Sequence, residues 1–360
     1  MRRAVASILL ALLLSACRAS GFAAPSPVTA PVPTAAAPPA EASHPAGTAA
    51  APTPMEAAKG LRNPVLDRDF PDPDSILVGN GYYAYATNSG GMNILVASSP
   101  DLVRWNFLGN ALPRPPRWAF KGFGNNWAPE VSQFGNSYVM YFASRLPVGS
   151  GGIQCIALAT SERPQGPFLP TEQSNLAPFV CQENEGGSID PAVFRDDDGR
   201  SYLLWKSDAN SRGGQTWIYI QPLSEDGLSL QGQPARLITA DARWEGLLVE
   251  APTLWKHGGR YYLFYSANDY ANRDYAVGYA VAERPTGPYI KGKTNPILKT
   301  NIGAAIVGPG GQDVTMGPDG KTYMLFHSWR PGGYRALDVA PLDWVGGVPV
   351  VTLPARTAAQ

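Results

Sequence analysis

The sequence predicts an all-β fold: a five-bladed β-propeller with four-stranded antiparallel blades around a central axis. Three observations point to it. A phrase of two β-prone strands recurs five times at a pitch of roughly 60 residues, longer than the common blade repeats but of the propeller kind. Each copy turns on Gly or Asp-Gly, the chemistry of tight hairpins. Helical periodicity is absent throughout the repeats.

The copies run in order as follows. The first is Phe70-Pro71-Asp72-Pro73-Asp74-Ser75-Ile76-Leu77-Val78, a turn at Gly79-Asn80-Gly81, and Tyr82 to Ala86. The second is Trp127-Ala128-Pro129-Glu130-Val131, a turn at Gly135-Asn136, and Tyr138 to Phe142. The third is Gly186-Gly187-Ser188-Ile189-Asp190-Pro191, a turn at Asp198-Gly199, and Ser201 to Trp205. The fourth is Val249-Glu250-Ala251-Pro252, a turn at Gly258-Gly259, and Tyr261 to Tyr265. The fifth is Gly311-Gln312-Asp313-Val314, a turn at Asp319-Gly320, and Tyr323 to Phe326.

The residues between copies supply the other two strands of each blade. Asn93 to Ser99 and Ile153 to Ser161 read as third strands, Asp101 to Trp105 as an outer strand, and Glu162 to Phe168 and Glu283 to Tyr289 as a Pro-Gly turn leading outward. Val350 to Leu353 is the last strand, with Pro349 at its start where a missing N–H is tolerable. Ring closure needs the ends of the domain to meet, so residues near Asn63 are expected beside the final blade.

Ahead of the repeats, Arg2-Arg3 and the apolar stretch Ala4 to Leu14 have the order of an export signal too short to span a bilayer. Leu14-Ser15-Ala16-Cys17 resembles a bacterial lipobox, which implies a signal peptide over 1–16 and lipidation at Cys17. Arg18 is not the acidic residue of inner-membrane retention, so an outer-membrane or cell-surface destination, or the periplasm, is expected. Residues 17–61 are rich in Ala, Pro, Thr and Ser and read as a disordered tether. The catalytic propeller is expected over 62–360, as a monomer that meets the membrane only through its lipid.

Lys+Arg and Asp+Glu balance at 29 each, so no global field favours nucleic acid or an acidic membrane. Cys155 and Cys181, an even pair in an oxidising compartment, are expected to form a disulfide before the third copy. No His or Cys cluster has the spacing of a tight transition-metal site.

In a propeller the innermost strands line the axis. Asp72, Glu130, Asp190, Glu250 and Asp313 all fall near the start of their copy's first strand, so several carboxylates are expected to converge on one funnel. Any one of them alone would read as a turn former; recurrence at one phase reverses that. Converging carboxylates with aromatic walls and no nucleophile triad point to glycosidic bond cleavage and a carbohydrate substrate. One carboxyl protonates the leaving oxygen, another activates water or attacks carbon, and a third raises the acid's pKa by like-charge repulsion.

Phe-Pro-Asp-Pro-Asp-Ser-Ile, Trp-Ala-Pro-Glu, Gly-Ser-Ile-Asp-Pro, Glu-Ala-Pro and Gly-Pro-Gly-Gly-Gln-Asp-Val together resemble glycoside hydrolase family 43, over about Asn63 to Leu353. That resemblance implies inversion of anomeric configuration, with Asp72 as general base, Asp190 as the residue that raises the pKa of the acid and orients it, and Glu250 as general acid. It also implies Trp127 as an apolar wall and Arg335 as a hydrogen-bond donor to the sugar. Phe70 and Ser188 are expected to line the pocket by adjacency, and Glu130 and Asp313 fall back to structural or pocket-lining roles. Inversion requires the Asp72 and Glu250 carboxyls to stand about 6.5–9.5 Å apart.

One motif departs from the family pattern. Many members carry Gly-Pro-Gly-His where this chain has Gly308-Pro309-Gly310-Gly311-Gln312, which counts against a His-linked structural calcium near the axis. Gln312 is expected to bond substrate or water instead, His327 is one candidate to replace the missing His, and no cofactor is required. Gly-Gly-Ser-Ile-Asp-Pro and Gly-Gly-Gln-Asp-Val resemble the exo-α-L-arabinofuranosidase branch acting on arabinan or arabinose-decorated oligosaccharides. A β-xylosidase or endo-arabinanase is the alternative within the family. The motifs of retaining fructoside-cleaving relatives do not occur here. A non-catalytic, sugar-capturing propeller lipoprotein would be expected to lack one of the three carboxylates, and all three are present.

Overall fold

Every residue of the strand Ser201–Ser207 is buried, and successive side chains go to different places. Tyr202 and Leu204 pack with Leu254, Tyr261 and Leu263 of the next repeat, whereas Leu203 and Trp205 pack with Val139, Tyr141 and Ile156 of the previous one. A strand with side chains on alternate sides and apolar neighbours on both must lie inside a sheet covered on two faces. The same split recurs in the other repeats, and the core is accordingly five wedges, one between each pair of neighbouring sheets.

The computed structural model describes residues 60–354. The signal sequence, Cys17 and nearly all of the expected tether therefore lie outside the described residues. Blade one is β1 (Asp74–Val78), β2 (Gly81–Ala86), β3 (Leu95–Ser99) and β4 (Asn106–Asn110). Blade two is β5 (Asn126–Phe134), β6 (Ser137–Arg145), β7 (Gln154–Ser161) and β8 (Leu169–Pro170). Blade three is β9 (Ser188–Arg195), β10 (Ser201–Ser207), β11 (Trp217–Pro222) and β12 (Ala235–Thr239). Blade four is β13 (Val249–His257), β14 (Arg260–Ala267), β15 (Ala276–Ala282) and β16 (Ile290–Lys291). Blade five is β17 (Gly310–Met316), β18 (Thr322–Arg330), β19 (Tyr334–Val345) and β20 (Val348–Val351). Within each blade the strands pair in sequence order, and all pairings are antiparallel. The first strands meet around the axis: β1 touches β5 and β17, β9 touches β5 and β13, and β13 touches β17.

The ring closes where expected. Asn63 donates its amide to the Val339 carbonyl (3.0 Å) and accepts the Val339 N–H (2.9 Å), while Val65 N–H reaches Leu337 O (2.9 Å). The segment before β1 thus lies along the free edge of β19. Cys155 on β7 is disulfide-bonded to Cys181, ahead of β9.

Two local expectations are corrected. Asp101 to Trp105 is a turn, and the outer strand begins at Asn106. The Asp101 carboxylate accepts the N–H groups of Val103 (3.0 Å) and Arg104 (2.8 Å), which bends the backbone out of the extended form. The last strand starts at Val348 and contains Pro349, tolerated because β20 is an outer strand. A five-residue helix, α1 (Glu172–Leu176), is capped by Thr171 and is too short to show a period.

Candidate active site

The first strand of every blade is bent at one phase. Asp72, Ala128, Asp190, Ala251 and Gly311 all have φ between 42° and 56°, a region costly for residues other than glycine. At that point the ladder to the second strand slips, between Trp127 and Glu130, Glu250 and Thr253, and Gly310 and Asp313. Such a bulge re-aims the side chains on either side of it. The acidic residues therefore divide by phase. Asp72 and Asp190 sit on the bent residue and Glu250 one before it, whereas Asp74, Glu130 and Asp313 sit two after it. The single funnel of five carboxylates is corrected to two tiers.

In the upper tier, Asp72 Oδ2 accepts the Thr87 hydroxyl (2.6 Å) and Oδ1 lies 3.2 Å from Arg335 Nη1. The Asp72 N–H donates to His327 Nδ1 (3.0 Å), so that nitrogen carries no proton. Burial opposes ionisation of Asp72, but the Arg335 charge, then the adjoining His327 and last the Thr87 hydrogen bond outweigh it and hold the carboxyl well below the usual range. His327, fully enclosed, is pushed down by burial and then by Arg335, and is neutral at pH 7.

Across the axis, Glu250 Oε1 accepts the Tyr275 hydroxyl (2.9 Å) and Oε2 lies 3.0 Å from Lys206 Nζ. Lys206 is buried, yet Glu250, Asp208 and Asp190 overcome the desolvation and hold it charged. Asp190 Oδ2 accepts the Ala251 N–H (2.9 Å). Burial and then the Glu250 charge push Asp190 up to about 7, against the pull of Lys206. One carboxylate is thus held ionised beside an arginine, and Asp190, across from it, keeps a proton to near neutrality. Carboxyls driven to opposite protonation states are what an acid and a base in one pocket require.

The sequence pattern of glycosyl hydrolases family 43 matches residues 61–349. The chain belongs to that family. A solved thermostable family-43 glycoside hydrolase superposes with a TM-score of 0.73 at 34% identity, over 83% of this chain and 98% of the other. Xylosidase/arabinosidase 43B of Humicola insolens is 29% identical over 75% of this chain, which spans only 49% of that protein. The extracellular exo-α-(1→5)-L-arabinofuranosidase ArbA of Cellvibrio japonicus is 26% identical over 77% of this chain and 84% of its own length.

The remaining expected site residues of this family 43 hydrolase fare differently. Trp127, partly exposed, holds in blade two the phase that Glu250 holds in blade four, and its ring N–H bonds to Gly124 O (3.1 Å). The Arg335 guanidinium lies 4.9 Å from the Tyr270 ring and 5.7 Å from Trp329, so the arginine is framed by two aromatic faces. Phe70 and Ser188 are corrected: both are fully buried and present no surface to a ligand. Phe70 packs in the wedge between blades five and one, and the Ser188 hydroxyl is bonded to Gln182. Gln312 is likewise corrected as a free donor to substrate. Its Oε1 accepts from Ser266 (2.7 Å) and its Nε2 donates to Ala251 O (2.6 Å), tying blade five to blade four.

The lower tier faces the other way along the axis. Asp74 accepts the Val131 N–H (2.8 Å), Glu130 the Ser132 hydroxyl (2.8 Å), and Asp313 the Ser75 hydroxyl (2.6 Å). Burial and mutual repulsion raise Asp74 well above its usual value, burial and Asp313 push Glu130 up to about 7, and burial pushes Asp313 up to about 6. Between the tiers, around the axis, lies a partly open space of about 40 Å³, too small for a sugar ring. Among the described residues no group of three His, Cys, Asp or Glu side chains is arranged to hold a metal ion.

Sequence reading passed over Lys206, Tyr275 and Thr87. Lys206 had a signal: it is the one charge in a strand, Ser201–Ser207, that is otherwise apolar or hydroxylic. Tyr275 and Thr87 lie in or beside blade strands, where a buried aromatic or β-branched residue is unremarked.

Proposed function

We propose that the chain is an inverting, exo-acting α-L-arabinofuranosidase in which Asp72 is the general base, Glu250 the general acid and Asp190 the residue that keeps a proton available. The observation that carries this reading is the opposed electrostatics of the upper tier: Asp72 ionised beside Arg335, and Asp190 raised to about 7 beside Glu250. Asp190, pushed up by burial and by the Glu250 charge, holds its proton to near neutrality beside that carboxyl. Tyr275 and Lys206 fix the Glu250 carboxyl while it hands a proton to the glycosidic oxygen. A water deprotonated by Asp72 attacks the anomeric carbon from the opposite face, the leaving oxygen takes the proton, and the configuration inverts. Sharing Arg335 with a sugar hydroxyl weakens its hold on Asp72, which makes Asp72 a stronger base at the moment it is needed.

Similarity to an exo-arabinofuranosidase supports arabinofuranose as the sugar, and that relative's extracellular location supports the export expected from residues 1–16. Similarity to a xylosidase/arabinosidase keeps β-xylosidase activity as the second reading.

Paired chromogenic substrates decide the sugar. The α-L-arabinofuranoside is expected to be cleaved faster than the β-D-xylopyranoside, with the inverted anomer first in the proton NMR spectrum; the reverse order favours the xylosidase reading. Glu250→Gln is expected to lose roughly 100-fold or more on a poor leaving group, in line with the loss of general acid catalysis, and far less on an activated one. Asp190→Asn and Asp72→Asn should lose activity on both. If instead Asp190→Asn is the variant rescued by the activated leaving group, Asp190 is the acid.

A further inference from the structure

Although the chain carries equal numbers of acids and bases, the fifteen residues Ala111 to Asn125 hold Arg114, Arg117 and Lys121 and no acid at all. They form the connection from β4 to β5. Because β1 starts at the catalytic tier and strands alternate in direction, the β2–β3 and β4–β5 connections lie on the catalytic face. There the three cations line a groove of about 560 Å³, together with Asn93, Asn175 and Phe123. That volume falls within the roughly 300–1,000 Å³ of small-ligand clefts.

The groove is joined to the site. Asn93 Oδ1 accepts from the Asn126 amide (3.0 Å), Asn126 precedes Trp127, and the Ala128 N–H bonds to Thr87, which holds Asp72. It is also built rather than loose. Trp118 donates to Ser174 O (2.7 Å), Arg117 N–H to Asn175 Oδ1 (3.1 Å), and the buried Asn125 amide to Phe123 O (2.7 Å). None of the three cations forms an ion pair among the described residues. Phe123 is 79% exposed beside them, an apolar face next to a cluster of donors.

We propose that this groove is a subsite for a hexuronic acid unit of the polysaccharide, with Arg114, Arg117 and Lys121 receiving the carboxylate and Phe123 the sugar ring face. The proposal rests on the glycosidase reading for its choice of a sugar as ligand. Exposed cations without an ion-pair partner can receive a carboxylate, Lys121 while its ammonium also bonds Arg117 O (3.0 Å), and an exposed aromatic ring beside them suits a pyranose better than a bare phosphate. Blade four, across the axis from the seam of blades one and two, carries a smaller counterpart with Arg243, Arg273 and Lys299, partly offset by Asp274.

The test measures binding to the full chain carrying Glu250→Gln. The probes are an arabinoxylo-oligosaccharide bearing one glucuronic acid, the same compound with its carboxyl reduced to an alcohol, and inorganic phosphate. The acid is expected to bind about tenfold tighter than the reduced probe, the worth of a charge-assisted contact, with the advantage shrinking as salt rises. In Arg114→Gln/Arg117→Gln/Lys121→Gln the advantage should vanish while affinity for the reduced probe stays. Equal affinity of the two sugars, no binding of the acid, an advantage that survives the triple substitution, or tighter binding of phosphate would each overturn the subsite. Hydrolysis of the neutral chromogenic substrates by the unsubstituted chain separates the two readings: if it fails while the acid preference holds, catalysis is wrong and the subsite stands.

Discussion

Asp72 stays ionised in a buried setting because its neighbours are arranged for it, and Gly311 is part of that arrangement. A Cβ on Gly311 would lie 2.7 Å from both Asp72 Oδ1 and His327 Nδ1, at a φ of +56°. Gly311→Ala is therefore expected to displace Asp72 and lower kcat by roughly 100-fold, the effect of a misplacement of about 1 Å. The near-UV circular dichroism should persist; an unchanged kcat would show that Asp72 is not held by this contact. At this scale periodicity made five acids legible near strand starts, and only the resemblance of their motifs to the family singled out Asp72, Asp190 and Glu250 as catalytic candidates. Phe70 and Ser188 were misread because adjacency in sequence says nothing about which side of a strand a residue takes. Lys206 was unread because nothing in a single strand reveals that Glu250, 44 positions later, will be its partner.

At the level of the element, the bulge near the start of each first strand sorts the carboxylates into tiers, and the lower tier leaves a signature in stability. Asp74, Glu130 and Asp313 have raised values in the fold, against ordinary values of about 3.9 for Asp and 4.3 for Glu when unfolded. The folded state therefore binds more protons between about pH 4 and 7, and stability must fall as pH rises through that window. Asp72, depressed, adds stability that is complete above the ordinary carboxylate range and lost only in stronger acid, so it leaves the window untouched. The melting temperature is expected to drop from pH 5 to pH 8, and Glu130→Gln to flatten the slope. A melting temperature that rises over that range would mean these groups are paired or solvated in a way the geometry does not show. Sequence could place all five acids near strand starts, yet it could not separate a residue on the bend from one two positions later.

For the whole molecule, the ring is held shut by the segment before β1 along β19. Asn63→Ala leaves the Val339 N–H and C=O without partners, which costs roughly 1–3 kcal/mol and lowers the melting temperature by several degrees. Turnover at 25 °C should not change, because the Asn63 side chain bonds only Val339 and makes no hydrogen bond to a site residue. Loss of turnover without loss of stability would make the closure a part of the site. The sequence by itself determined the five blades and the acidic motifs, because these are local patterns repeated in register, and the closing segment near Asn63 and the disulfide pair, because ring closure and an even pair of cysteines constrain them without tertiary detail. Only the tertiary structure decided which carboxylates face each other, that Arg335 and Lys206 take opposite sides of the pocket, and that three cations with no acid gather beside it. Those outcomes depend on the packing of five sheets around one axis, where residues far apart in sequence set one another's charge.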